Sequence, residues 1–164
     1  MGVPNVDNIF AEIKPELLSP KDIKGGKIKF KGGDIIFARI EPSIYNRKTA
    51  LVPKSYDEVL GSTELYVVRT KKEYDNGYLL WALRSKLTQN QILGKMTGST
   101  GRRRLPHTDF GNLMIPFVKR EKQSLIAKHY LKSLSKAKNL RGNALKNLKK
   151  VRLDLEKTLK KKIN

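Results

Sequence analysis

Residues 27–40 read KIKFKGGDIIFARI. Lysine alternates with Ile28 and Phe30, Gly32-Gly33 interrupts the alternation, and Ile35 onward closes into an apolar run. The pattern predicts two short strands around a turn that Asp34 caps, with Ile35, Ile36 and Phe37 entering the core. TALVPKS (49–55) and TELYVVRT (63–70) also read as strands, since β-branched and aromatic residues suit a pleated surface. In NGYLLWALRSKLTQNQIL (76–93) the period changes. Leu79, Leu80, Leu83, Leu87 and Ile92 fall near helical spacing, with Trp81 and Ala82 as a second apolar flank. NLMIPF (112–117) reads as a short strand stopped by Pro116. Residues 1–118 are thus expected to form an α+β domain.

From Lys119 the composition shifts, with no proline and only Gly142 through residue 164. Leu134, Ala137, Ala144, Leu148, Val151 and Leu155 follow alternating steps of three and four, Arg141 fills one place in the stripe, and Leu145 and Leu159 broaden it. Residues 119–164 are expected to form one amphipathic helix of about 40 residues, roughly 60 Å long. Its opposite face is nearly all lysine, so the seam needs a partner: its own domain, a second helix or another chain. Folding back on the domain suits the first two turns only, because the rest outruns such a body.

The 164 residues suit one domain with an appendage, and the formal net charge is +20. Residues 1–118 hold 19 basic and 12 acidic residues, and residues 119–164 hold 16 and 3. This excess points to a polyanion, most often nucleic acid. The absence of cysteine rules out disulfides and thiolate chemistry and suits a reducing cytoplasm. No apolar run approaches a membrane span, and the N-terminus lacks the pattern of a signal peptide, so no membrane association is expected. His107 and His129 stand on different elements without metal-ligand spacing, and no nucleophile elbow or paired carboxylate motif occurs. Neither a catalytic group nor a metal or cofactor is expected.

Two loops carry the remaining chemistry. GKMTGSTGRRRLP (94–106) has the glycines of a phosphate cradle but Arg102 where a P-loop needs lysine, and its helix lies before it. Its hydroxyls (Thr97, Ser99, Thr100) and guanidinium groups (Arg102, Arg103, Arg104) suit DNA phosphates and the guanine edge. Three adjacent arginines repel one another unless an anion sits nearby. EPSIYNRK (41–48) presents Asn46, Arg47 and Lys48 together, which suit adenine and phosphate.

In combination, the chain resembles the DNA-specificity subunits of type I restriction-modification systems. The matching stretches are FKGGDIIFARIEPSIYNRKTALV (30–52), GSTELYVVR (61–69), GYLLWALRS (77–85), MTGSTGRRRLPHTDFGNLMIPF (96–117) and EKQSLIAKHY (121–130). Within them Asp34 and Ile35, Ser62, Thr63 and Glu64, and Gln123 and Ile126 hold the family pattern. No single stretch is specific; their order is. One departure is PFVKRE, where only Pro116 remains of the family's proline-rich turn.

The resemblance implies a target-recognition domain that reads one half of a bipartite sequence in double-stranded DNA. It implies a long helix that forms an antiparallel coiled coil and docks the methyltransferase (M) subunits and, through them, the restriction (R) subunit. A specificity subunit has no catalysis of its own. A complete one carries two such domains and helices. This chain has one set, as expected of a half-subunit, a truncated gene product or a fragment lacking its first strand. One set also implies a two-fold homodimer through Leu134, Ala137, Ala144, Leu148, Val151 and Leu155. The alternatives left open are the recognition region of a fused type II restriction-methylation enzyme and a non-specific basic nucleic-acid-binding protein.

Overall fold

The computed structural model describes residues 1–16, 19, 21, 23 and 25–163, with side chains described as far as 159. Among these, the strands are β1 (Lys27–Phe30), β2 (Ile35–Ala38), β3 (Thr49–Leu51), β4 (Val59–Ser62) and β5 (Leu65–Val68). The helices are α1 (Asn76–Arg84), α2 (Lys86–Ile92), α3 (His107–Gly111) and α4 (Arg120–Ile163).

Residues 27–40 form the two predicted strands, but these join different sheets. β1 pairs antiparallel with β4, and β2 is the centre of an antiparallel β3-β2-β5 sheet. Asp34 caps the turn between them, its carboxylate accepting the Lys31 N–H at 2.9 Å. The same carboxylate accepts two bonds from the Arg69 guanidinium, at 2.8 and 2.7 Å, and so ties the start of β2 to the end of β5. Burial alone would raise the Asp34 pKa, yet the Arg69 and Lys31 bonds hold it below the usual carboxylate range. β2 is apolar throughout because both of its faces are covered. Ile35 and Phe37 enter one core with Leu79, Leu80 and Leu83 of α1, while Ile36 and Ala38 enter a second with Val6, Phe30 and Val59.

The helix expected over 76–93 is two helices. Ser85 ends α1 and caps α2, its hydroxyl donating to the Ala82 carbonyl (2.7 Å) and accepting the Thr88 N–H (3.5 Å). A side chain that competes for backbone groups in this way breaks a helix that leucine spacing alone would continue. Residues 112–117 form no strand. The Met114 backbone pairs with the side-chain amide of Gln91 instead, at 2.8 and 3.0 Å, so no ladder develops. β4 and α3 are elements that the residue pattern did not disclose.

α4 has 44 residues. It docks on α1 through Gln123, which is 0% exposed, and through Ala127. The Gln123 amide accepts the Asp75 N–H (2.9 Å) and donates to the carbonyls of Val118 (2.8 Å) and Glu73 (3.2 Å). Gly77 permits the approach, since a Cβ there would lie 2.9 Å from Ala127 Cβ. Contact then continues through Leu134, the Lys138–Glu12 ion pair (2.7 Å) and Arg141 over the Phe10 ring (5.7 Å). The helix therefore lies on its domain for about five turns rather than the two expected. Leu134, partly buried, packs against the domain core instead of lying on a free seam. Ala144, Leu148, Val151 and Leu155 continue the docked stripe into solvent, with Leu148 67% exposed.

Candidate nucleic-acid interface

The loop after β2 is shaped from beneath. Ile44 is buried, its carbonyl accepts the Gln89 amide at 3.3 Å, and a cis Glu41–Pro42 bond opens the turn. Arg47 takes a left-handed φ of 54°. Its carbonyl accepts one of five hydrogen bonds from the buried Arg84 guanidinium. The other four go to Thr49, Asn8 and Ile9 carbonyls and to the Tyr130 hydroxyl on α4, at 2.7–3.2 Å. Asn46 and Arg47 are exposed as expected. The Lys48 ammonium is turned inward and donates to the Val3 carbonyl at 3.2 Å.

Residues 97–104 form a small hairpin. Thr97 and Arg104 exchange backbone bonds at 3.0 and 2.8 Å, and the Arg102 N–H donates to the Ser99 carbonyl at 2.9 Å. Gly98 and Gly101 turn the chain at φ 109° and 76°, angles costly for residues with a Cβ. The returning side joins the segment leaving β2: the Leu105 N–H bonds the Arg39 carbonyl (2.9 Å) and the Glu41 N–H bonds the Arg103 carbonyl (3.0 Å). Tyr66 seals this junction, its hydroxyl donating to the Leu105 carbonyl at 2.7 Å while the Arg39 guanidinium lies 4.9 Å over its ring. The two loops singled out in the sequence are therefore neighbours in space. Thr97, Ser99, Thr100, Arg102 and Arg103 are exposed, and Arg104 is half-buried.

The charges differ from the expectation of three bare arginines awaiting an external anion. Arg103 Nε lies 2.8 Å from Glu41 Oε2, and Arg104 forks onto Glu64 through Nε (2.9 and 3.0 Å) and Nη2 (2.7 Å). The Arg104 hydrogen bonds hold the Glu64 carboxyl below its ordinary range against the effect of burial. Both guanidinium groups are held above theirs, first by the carboxylate hydrogen bonds and then by the adjacent charge. The fold itself thus supplies anions for two of the three. The roles of Glu41, Glu64 and Arg84 escaped the sequence reading because they depend on partners 35–76 positions away. Glu64 does lie in the recognised STE stretch, the one signal that marked it.

No group of three or more metal-ligating side chains assembles among the described residues, and no described helix is long and apolar enough to cross a membrane. No protein-family model matches the chain. A curated relative, the EcoAI type I restriction enzyme specificity subunit of Escherichia coli, is 33% identical over 135 residues, covering 81% of this chain and 23% of its own length. The EcoEI specificity subunit of the same organism is 31% identical over 129 residues, covering 77% and 22%. The chain belongs to the type I specificity-subunit family. It spans less than a quarter of these curated type I subunits. The solved HsdS subunit from Thermoanaerobacter tengcongensis shares the fold, with a TM-score of 0.70 at 24% identity over 89% of this chain and 38% of that one. A chain from a solved type I restriction-modification system, described for its complex assembly and conformational transition, gives 0.69 at 25% identity over the same shares. The likeness to type I specificity subunits thus takes in one α+β domain and its long helix.

Proposed function

We propose that this chain is a sequence-specific DNA-binding unit of a type I restriction-modification system. It reads one half of a bipartite target and directs the M subunits, and through them the R subunit, to that site in the cytoplasm. The similarity to specificity subunits over most of the chain carries this reading. The meeting of the 41–48 and 97–104 loops on one surface supports it, since an interface needs both backbone and base contacts in one place. The chain contributes recognition and docking, not catalysis. Residues 1–118 are the recognition domain and residues 119–164 the spacer and docking helix. The decisive experiment is co-expression with the neighbouring methyltransferase and mapping of methylated adenines. A new split motif in the host genome is expected, and its absence would sink the proposal.

Of the interface residues, Arg102 is the natural phosphate contact, with Thr97, Ser99, Thr100, Asn46 and Arg47 beside it. Arg102→Ala is expected to weaken binding to all duplexes alike and to flatten the plot of log K against log salt by about one unit of slope. An unchanged slope in a salt titration retires Arg102 as a contact.

The exposed continuation of the α4 stripe is the surface for pairing with a second copy, antiparallel and two-fold, which gives a palindromic split target. Ala144, Leu148, Val151 and Leu155 form its centre, with Ala137 at its inner edge. Leu148→Asp is expected to leave the domain folded and turn a dimer into a monomer. A variant still dimeric by light scattering places the interface elsewhere.

A further inference from the structure

Hydrogen bonding separates the three consecutive arginines. Arg104 is committed to the fold: Nε and Nη2 hold Glu64, and Nη1 donates to the Arg102 carbonyl at 3.0 Å. Arg102 is exposed and makes no ion pair with any described residue. Arg103 stands between these cases. Its Nε is held by Glu41, while its Nη1–Nη2 edge bonds no described residue. The Glu41 side chain is 9% exposed against 45% for Arg103, so the carboxylate lies beneath the guanidinium. The Glu41 N–H in turn bonds the Arg103 carbonyl at 3.0 Å. The pair is thus fixed through both side chain and backbone.

A guanidinium pinned at Nε presents its two terminal nitrogens as a rigid fork, which matches the paired O6 and N7 acceptors of guanine. Pinning also lowers the side-chain entropy lost on binding. The carboxylate beneath it reduces the net attraction for phosphate, so direction rather than charge governs what the fork accepts. A free guanidinium such as Arg102 follows phosphate at any sequence. We propose that Arg103 reads a guanine in the major groove and that Glu41 is its positioning residue. This rests on the DNA-recognition reading above.

The test begins with the wild-type chain selecting from a library of randomised duplexes, followed by single base-pair changes in the enriched sequence. Arg103→Lys is expected to lose about tenfold or more of discrimination at one G·C pair, because lysine offers a point charge instead of a fork. Its affinity for a scrambled duplex at low salt should stay within about twofold, since the charge is kept. Glu41→Ala should lose the same discrimination while binding scrambled DNA at least as well as wild type. Glu41→Gln retains an acceptor for Nε and should recover part of the loss, which a merely structural Glu41 would not produce. Should Glu41→Ala melt early, Glu41→Gln and Arg103→Lys carry the comparison at matched stability. Full discrimination in Arg103→Lys, or a uniform loss at every base pair, overturns the assignment. A wild-type chain that enriches no sequence overturns the DNA-recognition reading itself, and this proposal with it.

Discussion

Arg84→Met is expected to destabilise the domain by about 3–5 kcal/mol, the range reached when several buried polar groups lose their partners together. Arg84 is 8% exposed, and its five hydrogen bonds join four backbone carbonyls and one hydroxyl without a carboxylate. Its charge is therefore balanced by aligned carbonyl dipoles, not by an ion pair. Methionine fills much of the volume but leaves the Arg47, Thr49, Asn8 and Ile9 carbonyls and the Tyr130 hydroxyl short of a donor. Those groups belong to three parts of the chain, namely the 41–48 loop with β3, the N-terminal segment and α4, so all three lose their common joint. Urea denaturation measures the loss, and a midpoint within error of wild type would refute the hub. Arg84→Lys is expected to recover less than half, because one ammonium cannot span carbonyls arranged around a planar fork.

Gln123→Leu is expected to cost about 2–4 kcal/mol, as a buried donor–acceptor pair is replaced by an apolar group of similar size. Leucine leaves the Asp75 N–H and the Glu73 and Val118 carbonyls without this partner at the foot of α4. Asp75 caps α1, its carboxylate accepting the Gly77 N–H at 2.9 Å, so the cap loosens along with the docking. The two changes should appear together: a lower urea midpoint, and earlier proteolytic cleavage between Pro116 and Arg120. Unchanged cleavage beside a lowered midpoint would mean that Gln123 stabilises α1 without anchoring α4. Glu or Asn at this position should not substitute, because the site needs one acceptor and two donors at that reach.

The two loops of the candidate interface were legible as chemistry and not as geometry. Glycines and consecutive arginines in 94–106 marked an exposed, anion-seeking turn, and exposure of Thr97, Ser99, Thr100, Arg102 and Arg103 agrees with that. Their sharing of charge with Glu41 and Glu64 could not be read, since an ion pair between distant residues leaves no local pattern. Lys48 shows the same limit, for its inward turn to Val3 depends on where the N-terminal segment runs.

The sequence by itself determined the kind of molecule. Apolar alternation and runs specified strands within 27–40, 49–55 and 63–70, and an apolar stripe without proline, broken only at Arg141, specified α4, because these patterns act over a few residues. The order of five recognisable stretches carried the family. Only the tertiary structure decided that β1 and β2 part into different sheets, that Ser85 breaks the helix, and that α4 is held for about five turns. It also decided which arginines face outward unpaired. Each of these outcomes turns on a buried polar side chain or a recessed carboxylate choosing one partner among many: Asp34 takes Arg69, Gln123 takes the start of α1, and Glu41 takes Arg103. Hydrophobic periodicity is silent on such choices, because they are made by hydrogen-bond geometry once the apolar faces have already come together.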